Sequence, residues 1–353
     1  MLGRVSAEAG ARAWHFCIPI KPWIRTMYLN LVRQFCCESE PLAVRRTETA
    51  DRRIADYLVP VNAVGDRHPT IALLGVPQDE GVRRNGGRVG AAAAPAAIRR
   101  ALAKLTASIG TAMLPENTTI LDCGDVRTEG LSLEEIHRRQ QEVVGALLDA
   151  GLVVIVLGGG HDVALPNGRA LGARSQRLGI VNVDAHLDVR PPTLEGTHSG
   201  SPFRELIEDA TCRVEQLVEF GIHAFSASAH HVRYVLERGY VVWTLEQIRR
   251  HTLASSLEQV VGSLVECGGI HFSLDMDALA SAYAPGVSAP ASDGFRPDEV
   301  ATIIERIVAL PACRIVDIVE VNPRTDTDER TVRLAAYFAA LMIWTIAHRT
   351  VCR

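Results

Sequence analysis

Short apolar runs alternate with helix-length segments along most of the chain. From about residue 69 onward, eight runs rich in β-branched and other apolar residues are separated by stretches long enough for a helix. Several of these runs are apolar throughout, which is typical of parallel strands that are covered on both faces. The pattern predicts strands at residues 70–74, 119–121, 152–157, 179–183, 217–222, 240–243, 270–274 and 314–319. This alternation indicates one α/β domain, either doubly wound or barrel-like.

Helix signals lie between the predicted strands. Ser132 and Glu135 have the spacing of a capping box, in which each residue satisfies a backbone N–H at the start of a helix. Pro95 suits the first turn of another helix, because its missing N–H is not needed there. Two longer helices, amphipathic or buried, are expected at residues 296–310 and 329–348.

The first 60 residues have a different character. Between residues 22 and 35, apolar side chains recur at helical spacing, with basic residues on the other sides of the helix. We therefore predict an amphipathic helix at residues 22–35 within an N-terminal extension, residues 1–60, followed by a catalytic domain at residues 61–353. This segment is expected to pack on the domain as a helix or to form a poorly ordered extension, and a membrane-surface helix is the alternative.

Composition and charge exclude several classes of protein. Of the 353 residues, 47% are hydrophobic and 22% are charged, so wholesale disorder is excluded. The formal net charge of −4 argues against a nucleic-acid partner, because phosphate-binding proteins carry a basic surplus. The longest apolar run is about 14 residues, short of the roughly 18 that a membrane span needs. Together with eight cysteines that form no C-x-x-C pair, these features predict a cytoplasmic protein with reduced thiols and no membrane span.

Carboxylates and histidines follow three of the predicted strands, at the point where each strand ends. The segments are Gly158-Gly159-Gly160-His161-Asp162, Asp184-Ala185-His186-Leu187-Asp188 and Asp275-Met276-Asp277. Ligands collect at the carboxyl ends of parallel strands, and alternate residues of an extended chain point to the same side. A single aspartate could equally be a helix cap, but the combination predicts a metal site. The set of two histidines and four aspartates is too large for one ion, so it favours two bridged divalent ions, with Mn²⁺ suited to this nitrogen and oxygen mixture.

These three segments resemble the metal-binding signatures of the ureohydrolase superfamily, which includes arginases and agmatinases. The resemblance covers roughly residues 69–348 and implies a three-layer α/β/α fold with a central parallel eight-stranded sheet. It also implies a centre of two Mn²⁺ ions per subunit, with Asp184 and Asp275 as bridges. By this resemblance, one ion is held by His161, Asp184, Asp188 and Asp275, and the other by Asp184, His186, Asp275 and Asp277. A homo-oligomer is expected on the same ground.

Three further segments resemble one subfamily, the formimidoylglutamases of histidine degradation. They are residues 79–91, which include Arg83-Arg84-Asn85, the segment 285–290, and Asp326-Thr327-Asp328-Glu329-Arg330-Thr331. What the resemblance implies is a hydrolase of linear amidines that cleaves N-formimidoyl-L-glutamate to L-glutamate and formamide. The nucleophile of that family is a hydroxide that bridges the two ions and attacks the amidine carbon.

The arginine-rich segment suits this small-molecule substrate. N-formimidoyl-L-glutamate carries two carboxylates, and the planar guanidinium of arginine matches a carboxylate. The predicted substrate-binding residues are Arg83, Arg84, Asn85 and Arg88, together with Glu320. The alternative interpretation of the arginine-rich loop is a solvated basic surface, because spacing alone does not show which side chains point inward.

Two carboxylates are predicted to be catalytic. Asp188 is expected to pass a proton from the nucleophile to the leaving amine, and Glu320 to orient the amidinium. Ser199 separates His198 from the glycine that directly follows the histidine in agmatinases and arginases, so a proton-transfer role for His198 stays open. Four other histidines have no carboxylate nearby in sequence and are predicted to be non-catalytic: His223, His230, His231 and His271.

Two other functions remain as alternatives. A guanidino-compound hydrolase that releases urea would use the same amidine chemistry, and the arginine-rich loop is the feature that argues against it, because agmatine carries no carboxylate. A metal-binding pseudoenzyme subunit belongs to another class of protein, and the presence of all six ligand residues argues against it.

Overall fold

The structure, a computed structural model, describes residues 22–40, 42, 48 and 50–349. Strands and helices alternate through most of this range, as the sequence pattern predicts. The strands are β1 (Cys36–Cys37), β2 (Leu58–Pro60), β3 (Ile71–Gly75), β4 (Ser108–Ile109), β5 (Ala112–Met113), β6 (Ile120–Val126), β7 (Val153–Leu157), β8 (Leu178–Val183), β9 (Val214–Ile222), β10 (Val241–Thr244), β11 (Gly269–Asp275) and β12 (Cys313–Val319).

The central sheet of the described residues has ten strands, of which eight form a continuous parallel core. The order of this core is β6-β3-β7-β12-β11-β8-β9-β10. The sheet is open, so the chain is doubly wound and the barrel-like alternative is wrong. The predicted eight-stranded parallel sheet is confirmed, because each of the eight predicted runs overlaps one of these strands. A short antiparallel strand, β1, and a short parallel strand, β2, both pair with β6.

Helices cover both faces of the sheet. They are α1 (Pro22–Phe35), α2 (Glu80–Arg84), α3 (Ala94–Ala103), α4 (Leu133–Asp149), α5 (Ala164–Gly172), α6 (Pro202–Glu208), α7 (Ala229–Leu236), α8 (Leu245–His251), α9 (Leu253–Ser263), α10 (Pro297–Val308) and α11 (Arg330–Ala347). Alternate residues of β3 show the two faces, since Ile71 and Leu73 belong to one apolar cluster and Ala72 and Leu74 to another. Both faces of the strand thus contact buried apolar side chains, which explains why the strand is apolar throughout.

The N-terminal segment that the structure describes packs onto this domain. Helix α1 spans Pro22–Phe35, where the sequence predicts an amphipathic helix. Its Tyr28 and Val32 are buried in the same apolar cluster as residues of α4. The domain therefore covers these side chains and Phe35, whereas Met27 of the same helix is 40% exposed.

Helix α11 is the one described helix that is long and apolar enough to cross a membrane, by length and composition alone. It is longer than the apolar run in the sequence because the helix includes Arg330 and Arg333. A share of 56% of this segment is buried inside the fold, and Phe338 and Met342 lie in the main apolar cluster. The helix is a core element of the domain and is weak evidence of a membrane span.

Candidate metal centre

The three motifs predicted to bind metal meet at the carboxyl edge of the sheet. Their strands are near neighbours in the order β7-β12-β11-β8, so the chain leaves the sheet at closely spaced points. The turn after β7 requires glycine, because a Cβ on Gly159 would lie 1.6 Å from the carbonyl oxygen of Gln78. This close approach lets His161 begin a short 3₁₀ turn directly behind the strand.

His161 lies at the centre of the first group of side chains. Its Nδ1 is 3.2 Å from Asp184 Oδ2, 2.9 Å from Asp188 Oδ2 and 3.2 Å from Asp275 Oδ2. The side chains of His161 and Asp184 are fully buried, and that of Asp188 is 11% exposed. These four residues offer ligand atoms that lie within 4.8 Å of one another, as a metal ion would need.

A second group adjoins the first and shares Asp184 with it. His186 Nδ1 lies 3.4 Å from Asp184 Oδ1 and 3.2 Å from Asp277 Oδ2. The resemblance also places Asp275 in this second set, whereas the ligand atoms that lie together here are those of Asp184, His186 and Asp277. The structure thus brings all six predicted side chains to one place, and the role of Asp275 as a second bridge stays a prediction.

Negative charge dominates this cluster. Burial and the charges of Asp277 and Asp184 raise the pKa of Asp275 well above its usual value. Burial and the charge of Asp184 raise the pKa of Asp277 to about 6. Burial lowers the pKa of His161, but the surrounding carboxylates outweigh this effect and raise that pKa well above the usual value. Burial and the excess of four carboxylates over two histidines act together, so the cluster favours added positive charge.

The donor atoms fit hard or borderline divalent ions. His161 Nδ1 and Asp277 Oδ1 are buried and have no hydrogen-bond partner. A buried polar atom without a partner costs free energy unless another group satisfies it, and His161 Nδ1 faces three carboxylates. Imidazole nitrogen with carboxylate oxygen is a donor set that suits Mn²⁺. The side chains present therefore fit a metal centre of the predicted kind.

The two carboxylates predicted to be catalytic share an unusual backbone conformation. Asp188 has φ of 47° and Glu320 has φ of 63°, both in the left-handed region that side chains other than glycine adopt rarely. Glu320 Oε1 accepts a hydrogen bond of 2.9 Å from the backbone N–H of His161, and Oε2 is buried without a partner. Burial raises the pKa of Glu320 to about 8. The fold thus holds an unsatisfied carboxyl oxygen beside the metal cluster.

The structure places two of the four loop residues in ion pairs within the protein. Arg83 contacts the carboxylates of Glu80 and Glu195, and its side chain is half exposed. Arg84 Nη1 lies 2.7 Å from Glu134 Oε1, and its Nε lies 3.2 Å from Glu80 Oε1. Their charges are therefore balanced inside the protein.

The other two loop residues have no carboxylate among their described hydrogen-bond partners. Asn85 donates to Ser199 Oγ, and its side-chain oxygen accepts from Arg190. Arg88 donates to the carbonyl oxygens of Val287 and Ser288, at 2.6 and 2.9 Å. No carboxylate therefore balances Arg88 among these partners, and its Nη1 is not used in these two hydrogen bonds.

His198 is buried beside this loop but outside the cluster. Its Nδ1 accepts from the backbone N–H of Gly200 at 3.1 Å, which leaves Nε2 as the donor to the carbonyl oxygen of Pro191, also at 3.1 Å. Both ring nitrogens are therefore engaged with backbone, and the geometry gives no support to a proton-transfer role.

The structure also shows features beyond the predicted site residues. A cavity of about 1060 Å³ adjoins the cluster, and His186 and His223 are among its lining residues, while none of the four loop residues is. His271 and Asp317 form a buried pair across β11 and β12. The two residues are 46 positions apart, so the sequence does not show that they are partners. The alternation of His271, Ser273 and Asp275 along one apolar strand is nevertheless a signal that polar side chains lie in a row there.

Comparisons with known proteins agree with the geometry. The model of the arginase family matches residues 69–344. Formimidoylglutamase from Geobacillus kaustophilus is 35% identical over 297 residues, which cover 81% of this chain and 86% of that protein. Formimidoylglutamase from Ralstonia nicotianae is 36% identical over 300 residues, which cover 82% of this chain and 88% of that protein.

Solved structures give the same result. The crystal structure of Trypanosoma cruzi formiminoglutamase with Mn²⁺ has a TM-score of 0.73 and 33% identity, and the match covers 81% of this chain and 96% of that chain. The structure of formimidoylglutamase from Bacillus subtilis has a TM-score of 0.80 at 24% identity, covers 90% of this chain and 98% of that chain, and so supports the fold. The predicted resemblance is confirmed, and the chain belongs to the arginase family.

Proposed function

We propose that this protein hydrolyses N-formimidoyl-L-glutamate to L-glutamate and formamide with a centre of two Mn²⁺ ions. The observation that carries the proposal is the buried group of four aspartates and two histidines, whose charge is unbalanced by other side chains. Relatives named formimidoylglutamase, at about 35% identity over about four fifths of the chain, support this substrate.

The residues that would hold the ions follow from the two groups. One ion is assigned to His161, Asp184, Asp188 and Asp275, and the other to Asp184, His186, Asp275 and Asp277. When bound, the ions supply a nucleophile from water at neutral pH and stabilise negative charge that develops on the substrate. His186 and Asp188 are the more exposed members of the cluster, so the substrate approaches from their side.

Asp188 carries the proton in this mechanism. Its carboxylate lies at the edge of the cluster and is 11% exposed, so it can contact both the attacking water and the substrate. It accepts the proton that the water loses and donates it to the α-nitrogen of glutamate, which leaves as an amine. A carboxylate in this position makes the leaving group neutral as the carbon–nitrogen bond breaks.

Glu320 orients the amidinium group. Its Oε1 is held by the backbone N–H of His161, and its Oε2 remains free to accept from a substrate N–H. The amidinium supplies the charge of this hydrogen bond, which is stronger in a buried site than in water and fixes the amidine carbon in front of the nucleophile.

Arg88 is the loop residue best suited to a substrate carboxylate. Its described partners are backbone carbonyls, which leave its charge available, whereas Arg83 and Arg84 are paired with glutamates. Asn85 contributes an amide next to the same loop. We therefore assign the contact with a substrate carboxylate to Arg88. The other three residues of the loop remain part of the proposed binding region.

Product analysis tests this proposal. The purified, manganese-loaded chain is offered N-formimidoyl-L-glutamate, agmatine, arginine and 4-guanidinobutyrate separately, and formamide, glutamate and urea are measured. Formamide and glutamate from the first compound alone are expected. Urea from a guanidino compound would keep the metal centre but overturn the substrate. Turnover of none of the four by a protein that binds Mn²⁺ would contradict the hydrolase itself and favour the pseudoenzyme alternative.

A further inference from the structure

A row of polar side chains lies behind the metal centre on the apolar strand β11. His271, Ser273 and Asp275 alternate with apolar residues, so they point to the same side of the sheet. Ser273 pairs with Asp317 in the register of β11 and β12, which places the Asp317 carboxylate beside this row. All four side chains are buried.

The hydrogen bonds around Asp317 have a fixed direction. Gln140 Nε2 donates to the backbone carbonyl of Val163, an acceptor that cannot donate, and this fixes the orientation of the Gln140 amide. The same nitrogen donates to Asn167 Oδ1, so the Nδ2 of Asn167 faces Asp317 and donates to its Oδ2 at 2.9 Å. Asp317 is therefore an acceptor in this network.

Two other groups complete the surroundings of Asp317. His271 Nε2 lies 2.5 Å from Asp317 Oδ2, and the hydroxyl of Ser273 lies 2.5 Å from Oδ1. Burial alone raises the pKa of the Asp317 carboxyl, but the interactions with His271 and Ser273 outweigh it and hold that pKa below its usual value. An ionised carboxylate accepts from every neighbour, so the Ser273 hydroxyl donates its single proton to Asp317.

The direction of these hydrogen bonds determines which ring nitrogen of His161 carries the proton. His161 Nε2 lies 2.9 Å from Ser273 Oγ. Because the Ser273 proton is directed at Asp317, the serine oxygen can only accept from His161, and the proton of the neutral imidazole must be on Nε2. In this neutral form, which a bound metal ion requires, the lone pair of Nδ1 faces the carboxylates of the metal centre.

We propose that Asp317 is a positioning residue that acts through Ser273 to hold His161 in the tautomer that can bind a metal ion. The inference rests on the proposed metal centre and adds to it a residue that contacts neither the ions nor the substrate. Outer partners of metal-binding histidines fix the tautomer and the ring orientation, and losing one costs about 10- to 100-fold in metal affinity.

The variant Asp317→Asn tests the proposal. Its amide can donate to Ser273, which frees the hydroxyl to donate to His161 Nε2 and moves the imidazole proton to Nδ1. Mn²⁺ is titrated calorimetrically into the full chain after removal of metal with a chelator. We expect the affinity to fall by about 10- to 100-fold. Affinity within about twofold of that of the unchanged protein would overturn the proposal.

Asp122→Asn is a matched control. Asp122 is also a buried carboxylate of the same sheet, on β6, but its contacts are Arg99, Ser39 and the backbone N–H of Gly124. The same substitution there removes a buried charge without a path to His161. A loss of Mn²⁺ affinity in both variants would mean that general destabilisation is the cause, and would contradict the proposal.

The position of the imidazole proton gives a second, independent measurement. Zn²⁺, a diamagnetic ion, replaces Mn²⁺, and nitrogen-15 chemical shifts of labelled histidine show whether His161 carries its proton on Nε2 in the loaded protein; His161→Gln identifies the signal. We expect this Nε2-protonated form in the unchanged protein and its loss in Asp317→Asn at the same Zn²⁺ concentration. The same form at full intensity in that variant would refute the relay.

Ser273→Ala serves if Asp317→Asn does not fold, because it removes only one oxygen atom. It frees His161 Nε2 from its acceptor, and the same loss of Mn²⁺ affinity is expected. If the unchanged protein binds no Mn²⁺ at all, the proposed metal centre fails. If the unchanged protein binds Mn²⁺ and neither variant weakens binding, the role of Asp317 fails alone.

Discussion

The metal cluster and the arginine-rich loop are both dense in charge, yet their charges are treated in opposite ways. Arg83 and Arg84 find glutamates from other parts of the chain, so their charge is used in holding the fold. In the cluster, four carboxylates face two histidines, and burial raises the pKa of Asp275 and Asp277. The paired arginines therefore stabilise the fold, whereas the buried carboxylates, which lack enough positive partners, indicate a site that binds cations.

Backbone strain follows the same division. Asp188 and Glu320, next to the cluster, have positive φ, whereas Arg83 and Arg84 lie in the short helix α2. Strain persists only where surrounding contacts enforce it, and it concentrates at functional sites. The two regions therefore differ in geometry as well as in charge, and substitutions in each region probe that difference.

Removing a carboxylate from the cluster should have the largest effect. In Asp275→Ala, we expect kcat to fall by at least about 10³-fold, because the variant loses a metal ligand and the ions supply several kcal/mol of transition-state stabilisation. Manganese content, measured by mass spectrometry, should fall with it. Asp149→Ala removes a carboxylate that pairs with Arg174 at the surface and should leave both quantities unchanged. Full turnover and two ions in Asp275→Ala would refute the assignment of Asp275.

Neutralising Glu320 should act on the substrate and leave the metal in place. In Glu320→Gln, we expect kcat/KM to fall by about 10- to 100-fold, since a hydrogen bond to a charged group is worth about 1.5–3 kcal/mol. Steady-state kinetics and manganese content are measured on the same sample. Loss of manganese with loss of activity would show that Glu320 supports the metal site instead.

Two variants of the loop compare an arginine that has no carboxylate among its described partners with one that is paired with glutamates. In Arg88→Gln, we expect KM to rise by about tenfold or more, because a charge-assisted contact to a substrate carboxylate is lost. In Arg83→Gln, KM should change by less than about threefold, because that guanidinium is exposed and already paired with Glu80 and Glu195. Equal effects of the two substitutions would remove the distinction between these arginines.

The smallest effect concerns the acid stability of the loop. The hydrogen bond from Arg84 lowers the pKa of Glu134 from 4.5 to about 2. A depressed pKa in the folded state stabilises the protein above pH 4.5 and loses this contribution as the pH falls toward 2. Because the pair is partly exposed, Glu134→Gln should lower the free energy of unfolding by less than about 1 kcal/mol at pH 7. Urea unfolding should show a smaller difference between the two proteins at pH 3, and a larger one there would contradict the sign.

The strands and the cluster could be predicted from the sequence because their signals are local. Each apolar run is continuous, and each ligand motif lies directly behind its strand, so the convergence of His161, Asp184 and Asp275 follows from parallel pairing. The amphipathic stripe of residues 22–35 is local in the same way, and α1 spans Pro22–Phe35.

Partners that are distant in sequence could not be predicted in this way. Arg84 forms an ion pair with Glu134 of α4, and Arg83 forms one with Glu195 of another loop. Because these glutamates are distant in sequence, the sequence alone suggests that all four loop side chains are unpaired. The alternation along β11 marks His271, but its partner Asp317 is set by the register of β11 against β12, which the sequence of β11 does not specify. Which arginines are paired with carboxylates depends on the folded chain. Only the structure shows that Arg88 differs in this respect from Arg83 and Arg84.

Anomalous diffraction from crystals grown with Mn²⁺ tests the central claim most directly, because it locates each manganese ion independently of activity. The account predicts two peaks within the cluster, one beside His161 and one beside His186, with Asp184 between them. A single peak, or peaks away from these residues, would contradict it.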